Sequence, residues 1–381
     1  MSYRWVVLAA GTAAQASYSA IWFGVAVVAP HLRDRYDLSL GETGFLIGAS
    51  LLGSTISLVP WGILADRIGE RIVLGTGLGA CGLALIGAAE VHSFGALAAL
   101  LVFAGCAGAS VQSASGRAVL GWFPPSRRGL ALGIRQTAIP IGGFAVALVL
   151  PHFDVAWSFR LLGLACVVTA ALGAALIREG PQPIRPVEGA RTNGPFRDRR
   201  LWILSGSAAL LLWPQMCLVG FTVLFLHDTR GMTTAHAALA LALVQVIGIG
   251  TRIGSGAWSD ALGSRIVPLR RIAIVLAGLT ALTAILVGAP LEILVPVLIV
   301  TGGLAMSWNG LAFAAAAEVA GGARAGSAIG LQQTVINSTA AILPPLFGAL
   351  VGAAGWGVGV GLIALGPLAS FVALRPLAGQ T

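Results

Sequence analysis

Two arginines, Arg135 and Arg252, stand inside long apolar runs of this 381-residue sequence. A guanidinium offers five N–H donors in a rigid fork that matches a carboxylate or a phosphate. Inside a membrane such a charge is expensive, and it marks a functional site by default. Arg135 lies seven residues beyond Arg128 and Arg252 eight before Asp260, which puts each about 10–12 Å in from a charged boundary of a helix. None of the 14 acids shares that depth, since all fall in loops or at helix ends. Two unpaired arginines at one depth favour an anionic ligand, because an uncompensated buried charge is costly. For Arg252 a second reading stays open, in which it pairs with Asp260 or with helix ends. Arg160 follows Trp157 near a helix end and reads as an interfacial anchor.

Neutral polar groups are the next candidates. Gln15, Tyr18, Ser19 and Trp22 recur at i, i+3, i+4 and i+7, which is one helical face. Together with Gln112 and Asn309, and with the pair Gln333 and Asn337, they are candidate ligand-contacting residues. Polar side chains that hydrogen-bond helices together are the rival explanation.

No constellation for catalysis, metal or cofactor accompanies them. There is no phosphate-binding glycine loop with Lys, no H-E-x-x-H and no Cys pair. Cys81, Cys106, Cys166 and Cys217 all sit in apolar runs and read as small buried hydrophobes. His31, His92, His152, His227 and His236 lie near loops, too far out for a central proton relay. With no mid-helix carboxylate either, a coupling proton stays an open question.

The elements that hold these residues follow from composition. The chain is 57% hydrophobic and 10% charged, against roughly 25% charged residues in a soluble domain. Apolar runs of about 18–25 residues recur, the length that crosses a bilayer as helix. Helices are expected over 5–29, 42–64, 72–90, 94–117, 130–152, 158–177, 201–226, 236–257, 271–289, 292–316, 327–350 and 357–375. The first run is too long for a signal-peptide core and reads as helix 1.

The formal charge of +9 is a topology signal rather than a nucleic-acid footprint. With the N-terminus inside, seventeen of the 23 basic residues, all of them Arg, fall in inner loops. Only Arg33, Arg35 and Arg230 fall in outer ones, so both termini are expected on the cytoplasmic side.

A repeat divides the chain. Gly62, Asp66, Gly69 and Arg71 recur as Gly256, Asp260, Gly263 and Arg265 at an offset of 194. Gly133, Gln136 and Thr137 recur as Gly330, Gln333 and Thr334 at an offset of 197. Two six-helix repeats are thus expected, 1–177 and 201–381, joined by the Arg- and Pro-rich stretch 178–200. In built-from-repeat membrane proteins the binding site lies between the copies.

At these residues the sequence resembles the major facilitator superfamily. Gly62, Asp66, Arg67, Gly69 and Arg71 look like its signature loop, and the second copy departs from it at Ala261. The stretch from Gly105 through Trp122, Phe123 and Pro124 to Gly133 looks like the family's helix 4 to helix 5 region. The resemblance implies an all-α integral membrane fold of twelve helices and a secondary or facilitative transporter working by alternating access, not an enzyme. It implies that helices 1, 4, 7 and 10 line the cavity, that helices 5 and 8 face each other, and that the signature residues, Gly256, Asp260, Gly263 and Arg265 included, gate the halves. Gly62 and Gly69 would then allow close approach and tight turning.

A small organic anion, such as a monocarboxylate, is the expected substrate. Drug efflux is the alternative, although Ile139-Pro140-Ile141-Gly142-Gly143 lacks the leading Gly of the family's drug-antiporter motif and has a shorter spacer. A membrane sensor or enzyme is a remote third. A monomer in the bacterial cytoplasmic membrane, with the lipid bilayer as its surroundings and no nucleic acid as partner, completes the expectation.

Overall fold

The computed structural model describes residues 3–123, 128–178, 180, 198–321 and 325–377. Most of the 178–200 stretch and the side chain of Asp66 lie outside the described residues. Twelve helices long and apolar enough to cross a membrane are present, with no strand among the described residues. They are α1 (Tyr3–Tyr36), α2 (Leu40–Ala65), α3 (Glu70–Ala88), α4 (Phe94–Val119), α5 (Gly133–His152) and α6 (Val155–Leu176), then α7 (Arg199–Asp228), α8 (Thr234–Leu262), α9 (Ile266–Gly288), α10 (Leu291–Ala320), α11 (Ala328–Ala354) and α12 (Trp356–Leu377).

Local chemistry starts them where expected. Ser39 caps the N-terminus of α2 in a capping box with Glu42, and Thr233, 194 residues on, caps α8 by accepting from His236 N. Side chains such as Ile285, Val59 and Leu83 stand outward, 80%, 66% and 65% exposed. Such a surface suits a bilayer and not water.

The repeat is visible in the packing. In the first six helices α1 lies on α5, α2 on α4 and α3 on α6; in the last six, α7 lies on α11, α8 on α10 and α9 on α12. Two seams join the groups, α2 against α11 and α5 against α8, and α1 also meets α7.

Both seams are tight only toward one end, opposite the arginine-rich turns after α2 and α8. There a Cβ on Gly44 would stand 2.3 Å from Pro344 O, and one on Gly348 would stand 2.1 Å from Leu40 O. Arg33 of α1 and Asp228 of α7 form an ion pair across the groups at the same end. At the arginine-rich end Gly62, Gly133, Gly256 and Gly330, on the same four helices, meet nothing within 4 Å of an added Cβ. The close approach expected of Gly62 is therefore absent in this conformation among the described residues.

Several helices are interrupted. The first part of α4 ends at Gly108 and a new segment starts at Ser110, while α5 breaks after Gln136. In α10 the chain leaves helical form between Leu304 and Asn309, and α7 carries a π-turn at Gln215–Val219. Such interruptions free backbone groups that must be re-paired within protein or against a cavity.

Candidate functional site

Arg135 lies at the end of the first segment of α5, just before its break. Its Nη1 donates to Gln15 Oε1 of α1 at 2.9 Å and to Ser115 Oγ of α4 at 3.1 Å. Gly116, next along α4, leaves 3.7 Å between the position of an added Cβ and Arg135 Nη2. The Nε atom is buried without a partner among the described residues. Gln15 is held in turn by Ser19, whose Oγ accepts from Gln15 Nε2 at 3.3 Å.

Arg252 belongs to the last six helices. Its Nε donates to Met306 O at 3.0 Å, in the break of α10. The neighbours of Arg252 serve the same break: Thr251 Oγ1 donates to Gly303 O at 2.8 Å and Ser255 Oγ to Ser307 O at 2.8 Å. Asn309 Nδ2 also reaches Met306 O, at 3.3 Å, and Gln215 Oε1 in the π-turn of α7, at 3.2 Å. So Arg252 does sit on a helix end, and Asp260 is not its partner.

Each group of six helices thus presents one guanidinium held by neutral oxygens. Among the described residues no ion pair includes Arg135 or Arg252, while carboxylates pair with Arg33, Arg117, Arg160, Arg200 and Arg265 nearer the helix ends. Arg160 bonds Glu90 and lies 5.1 Å from the centre of the Trp157 ring, the anchor its position suggested.

The polar face expected on α1 is split. Gln15 turns to Arg135, but Tyr18 points back among the first six helices, its ring against Gly108 and its hydroxyl donating to Gly105 O at 3.4 Å. Two glycines of α4 open the space that draws it there, so Tyr18 packs helices instead of sharing Gln15's surroundings. Trp22 is buried beside Phe23, near Gly220 of α7, with its indole N–H unpartnered. Gln112 is half-buried on α4. On α11 Gln333 Nε2 donates to Asn337 Oδ1 at 2.7 Å, which occupies part of both side chains.

The candidate gating residues fall at the arginine-rich end. Gly69 (φ 84°) and Gly263 (φ 62°) make the turns after α2 and α8, in backbone conformations that glycine adopts without strain. Arg67 and Arg71 are exposed. Asp260 and Glu318 both bind Arg265, at 2.5 and 2.9 Å, and these contacts, Glu318 first, hold the guanidinium above its usual range. In the first repeat Glu70 pairs with Arg117 at 2.8 Å. Both charge pairings stay within one group of six helices, and among the described residues no ion pair of Asp260 or Arg265 reaches the other group.

Gln215, Ser115 and Gln245 are not among the residues that the sequence singles out. Ser115 lies one turn from Gln112 and Gln245 two turns from Arg252, so helical spacing carried the signal for both. The π-turn that turns Gln215 toward Asn309 has no comparable signature.

The family profile described as Major Facilitator Superfamily matches residues 11–345. The chain belongs to the major facilitator superfamily. This facilitator is 33% identical over 372 residues to an uncharacterized MFS-type transporter of Mycobacterium tuberculosis, covering 96% of this chain and 84% of that one. A hexuronate transporter of Bacillus subtilis is 24% identical over 162 residues, 42% of this chain and 38% of that protein. Among solved structures, a bacterial homolog of the human lysosomal transporter Spinster, inward-facing and occupied, superposes with a TM-score of 0.84 at 15% identity, over 100% of this chain and 98% of that one. That likeness shows the fold alone. As a member of the superfamily the protein is a multi-pass membrane transporter.

Proposed function

We propose that this facilitator moves a small organic anion, such as a monocarboxylate, across the cytoplasmic membrane by alternating access. One observation carries the reading: two guanidiniums inside membrane-spanning helices, one in each group of six, have only neutral partners among the described residues. Burying a charge without a counter-charge is strongly unfavourable, and a carboxylate ligand supplies that counter-charge with bidentate geometry. The hexuronate transporter that matches part of the chain is named for a sugar acid, which agrees with an anionic substrate.

On this reading residues 1–177 and 201–381 are the two moving halves, with 178–200 the cytoplasmic linker. The arginine-rich end faces the cytoplasm, by the distribution of Arg along the chain. The described conformation is then open to the cytoplasm and shut outside, since the seam glycines crowd at Gly44 and Gly348 and stand free at Gly62 and Gly330. Gln15, Ser115, Gln215 and Asn309 complete the polar lining around the arginines.

The test is a thermal-shift screen of the purified protein against labelled classes of carboxylates, neutral sugars, amino acids and lipophilic cations. A ligand that binds only the folded state stabilises it by mass action. Stabilisation by acids, lost in Arg135→Gln, is the expected result; stabilisation confined to lipophilic cations would favour drug efflux instead.

A further inference from the structure

Gln245 of α8 is fully buried in the seam with α5, and neither the nitrogen nor the oxygen of its amide has a hydrogen-bond partner among the described residues. The packing around it is close. A Cβ on Gly143 of α5 would stand 2.9 Å from the Gln245 amide carbon and nitrogen and 2.9 Å from the ring of Phe23. The seam has shut over an amide that would be fully bonded in water.

An amide sealed in this way raises the free energy of the conformation that seals it. The rest of the shut end pulls the other way: Gly44 against Pro344 O, Gly348 against Leu40 O, and the Arg33–Asp228 pair all favour closure. A transporter needs its two access states within reach of each other, because a ligand shifts an equilibrium only by its difference in affinity for the two. We propose that Gln245 sets the balance between the access states: its unbonded amide penalises closure at this end, and separation of α5 from α8 relieves the penalty. This role rests on the alternating-access reading above. Gln245 lies two turns before Arg252 on the same helix.

Gln245→Met keeps the length of the side chain and removes the amide, so closure should become more favourable. Gly44→Ala does the opposite from the other seam, since its Cβ meets a backbone carbonyl that cannot move aside cheaply. The reporter is a pair of spin-labelled cysteines at Gly95 and Gly288, at this end of α4 and α9, where an added Cβ meets nothing within 4 Å. The full-length protein carries them with Cys81, Cys106, Cys166 and Cys217 changed to alanine, in lipid nanodiscs, and electron–electron resonance reads the distances.

Gly44→Ala should enlarge the long-distance population, and adding Gln245→Met should move the short-to-long ratio back by about tenfold. Gln245→Leu is a second apolar variant with the same expected direction, so misfolding of either leaves the other to decide. An unchanged ratio, or a further rise of the long population, with both distances present, would overturn the role of Gln245 alone. A single distance in every variant would overturn the alternating-access reading and this role with it.

Discussion

Arg135 donates from Nη1 to Gln15 Oε1 at 2.9 Å, so a neutral amide of α1 orients the guanidinium of α5 without neutralising it. Among the described residues no carboxylate pairs with it. A structural arginine at this depth would be expected to find a carboxylate, and among the described residues the carboxylates that pair with arginine do so nearer the helix ends.

Replacing Arg135 with Gln should therefore weaken binding of the anion by about 1.5–3 kcal/mol, the range for hydrogen bonds to charged groups. Arg135→Lys should restore only part of it, because a point charge replaces a two-pronged planar donor. Calorimetric titration of folded variants checks both. Unchanged affinity in Arg135→Gln would assign the residue to packing.

Arg252 carries two duties that can be separated. It donates to Met306 O in the broken stretch of α10, so Arg252→Gln should lower the melting temperature as well as the affinity. If both arginines hold one anion, the double change should cost less binding energy than the sum of the singles, since groups sharing a partner are not additive. Full additivity would mean two independent sites.

At the shut end, magnitude separates two kinds of contact. The Arg33–Asp228 pair is partly exposed, at 37% and 20% of the side chains, and such pairs contribute about 0–1 kcal/mol. Gly348→Ala would force a Cβ to within 2.1 Å of Leu40 O, and overpacking of that kind costs about 1–3 kcal/mol. Labelling of a cysteine at Ala237, buried in α8, by an impermeant reagent should thus rise far more in Gly348→Ala than in Asp228→Asn. The reverse order would show that the ion pair, not the helix seam, holds this end shut.

Asp260→Asn should leave binding intact and slow transport. Arg265 keeps Glu318 as a partner at 2.9 Å, so the fold loses little, while the charge available to the signature turn changes. Equal losses of binding and expression would make the turn purely structural.

Much of this was legible in the sequence because the bilayer leaves few options. Twelve apolar runs had to be helices, and the recurring Gly-Asp-Gly-Arg spacing announced a duplication that the pairing of α1 with α5 and α7 with α11 repeats in space. Arg135 and Arg252 stood out because charge inside such runs is rare. The surroundings were less legible. Tyr18 shares a helical face with Gln15 on spacing alone, yet Gly105 and Gly108 of α4, some ninety residues away, decide where its ring goes. Likewise, the break of α10 at Met306 arises from tertiary support by Thr251, Arg252 and Ser255, which no local pattern around Met306 reveals.

On the proposed function the transported molecule is an anion held by these two arginines. Counterflow into proteoliposomes preloaded with unlabelled compound, run over a panel of labelled monocarboxylates, sugar acids, neutral sugars, amino acids and lipophilic cations, tests it most directly. Exchange of one or more acids is expected, abolished or strongly weakened in the Arg135→Gln, Arg252→Gln double variant shown to be folded. Exchange restricted to cations or neutral compounds, or acid exchange untouched by the double variant, would contradict it.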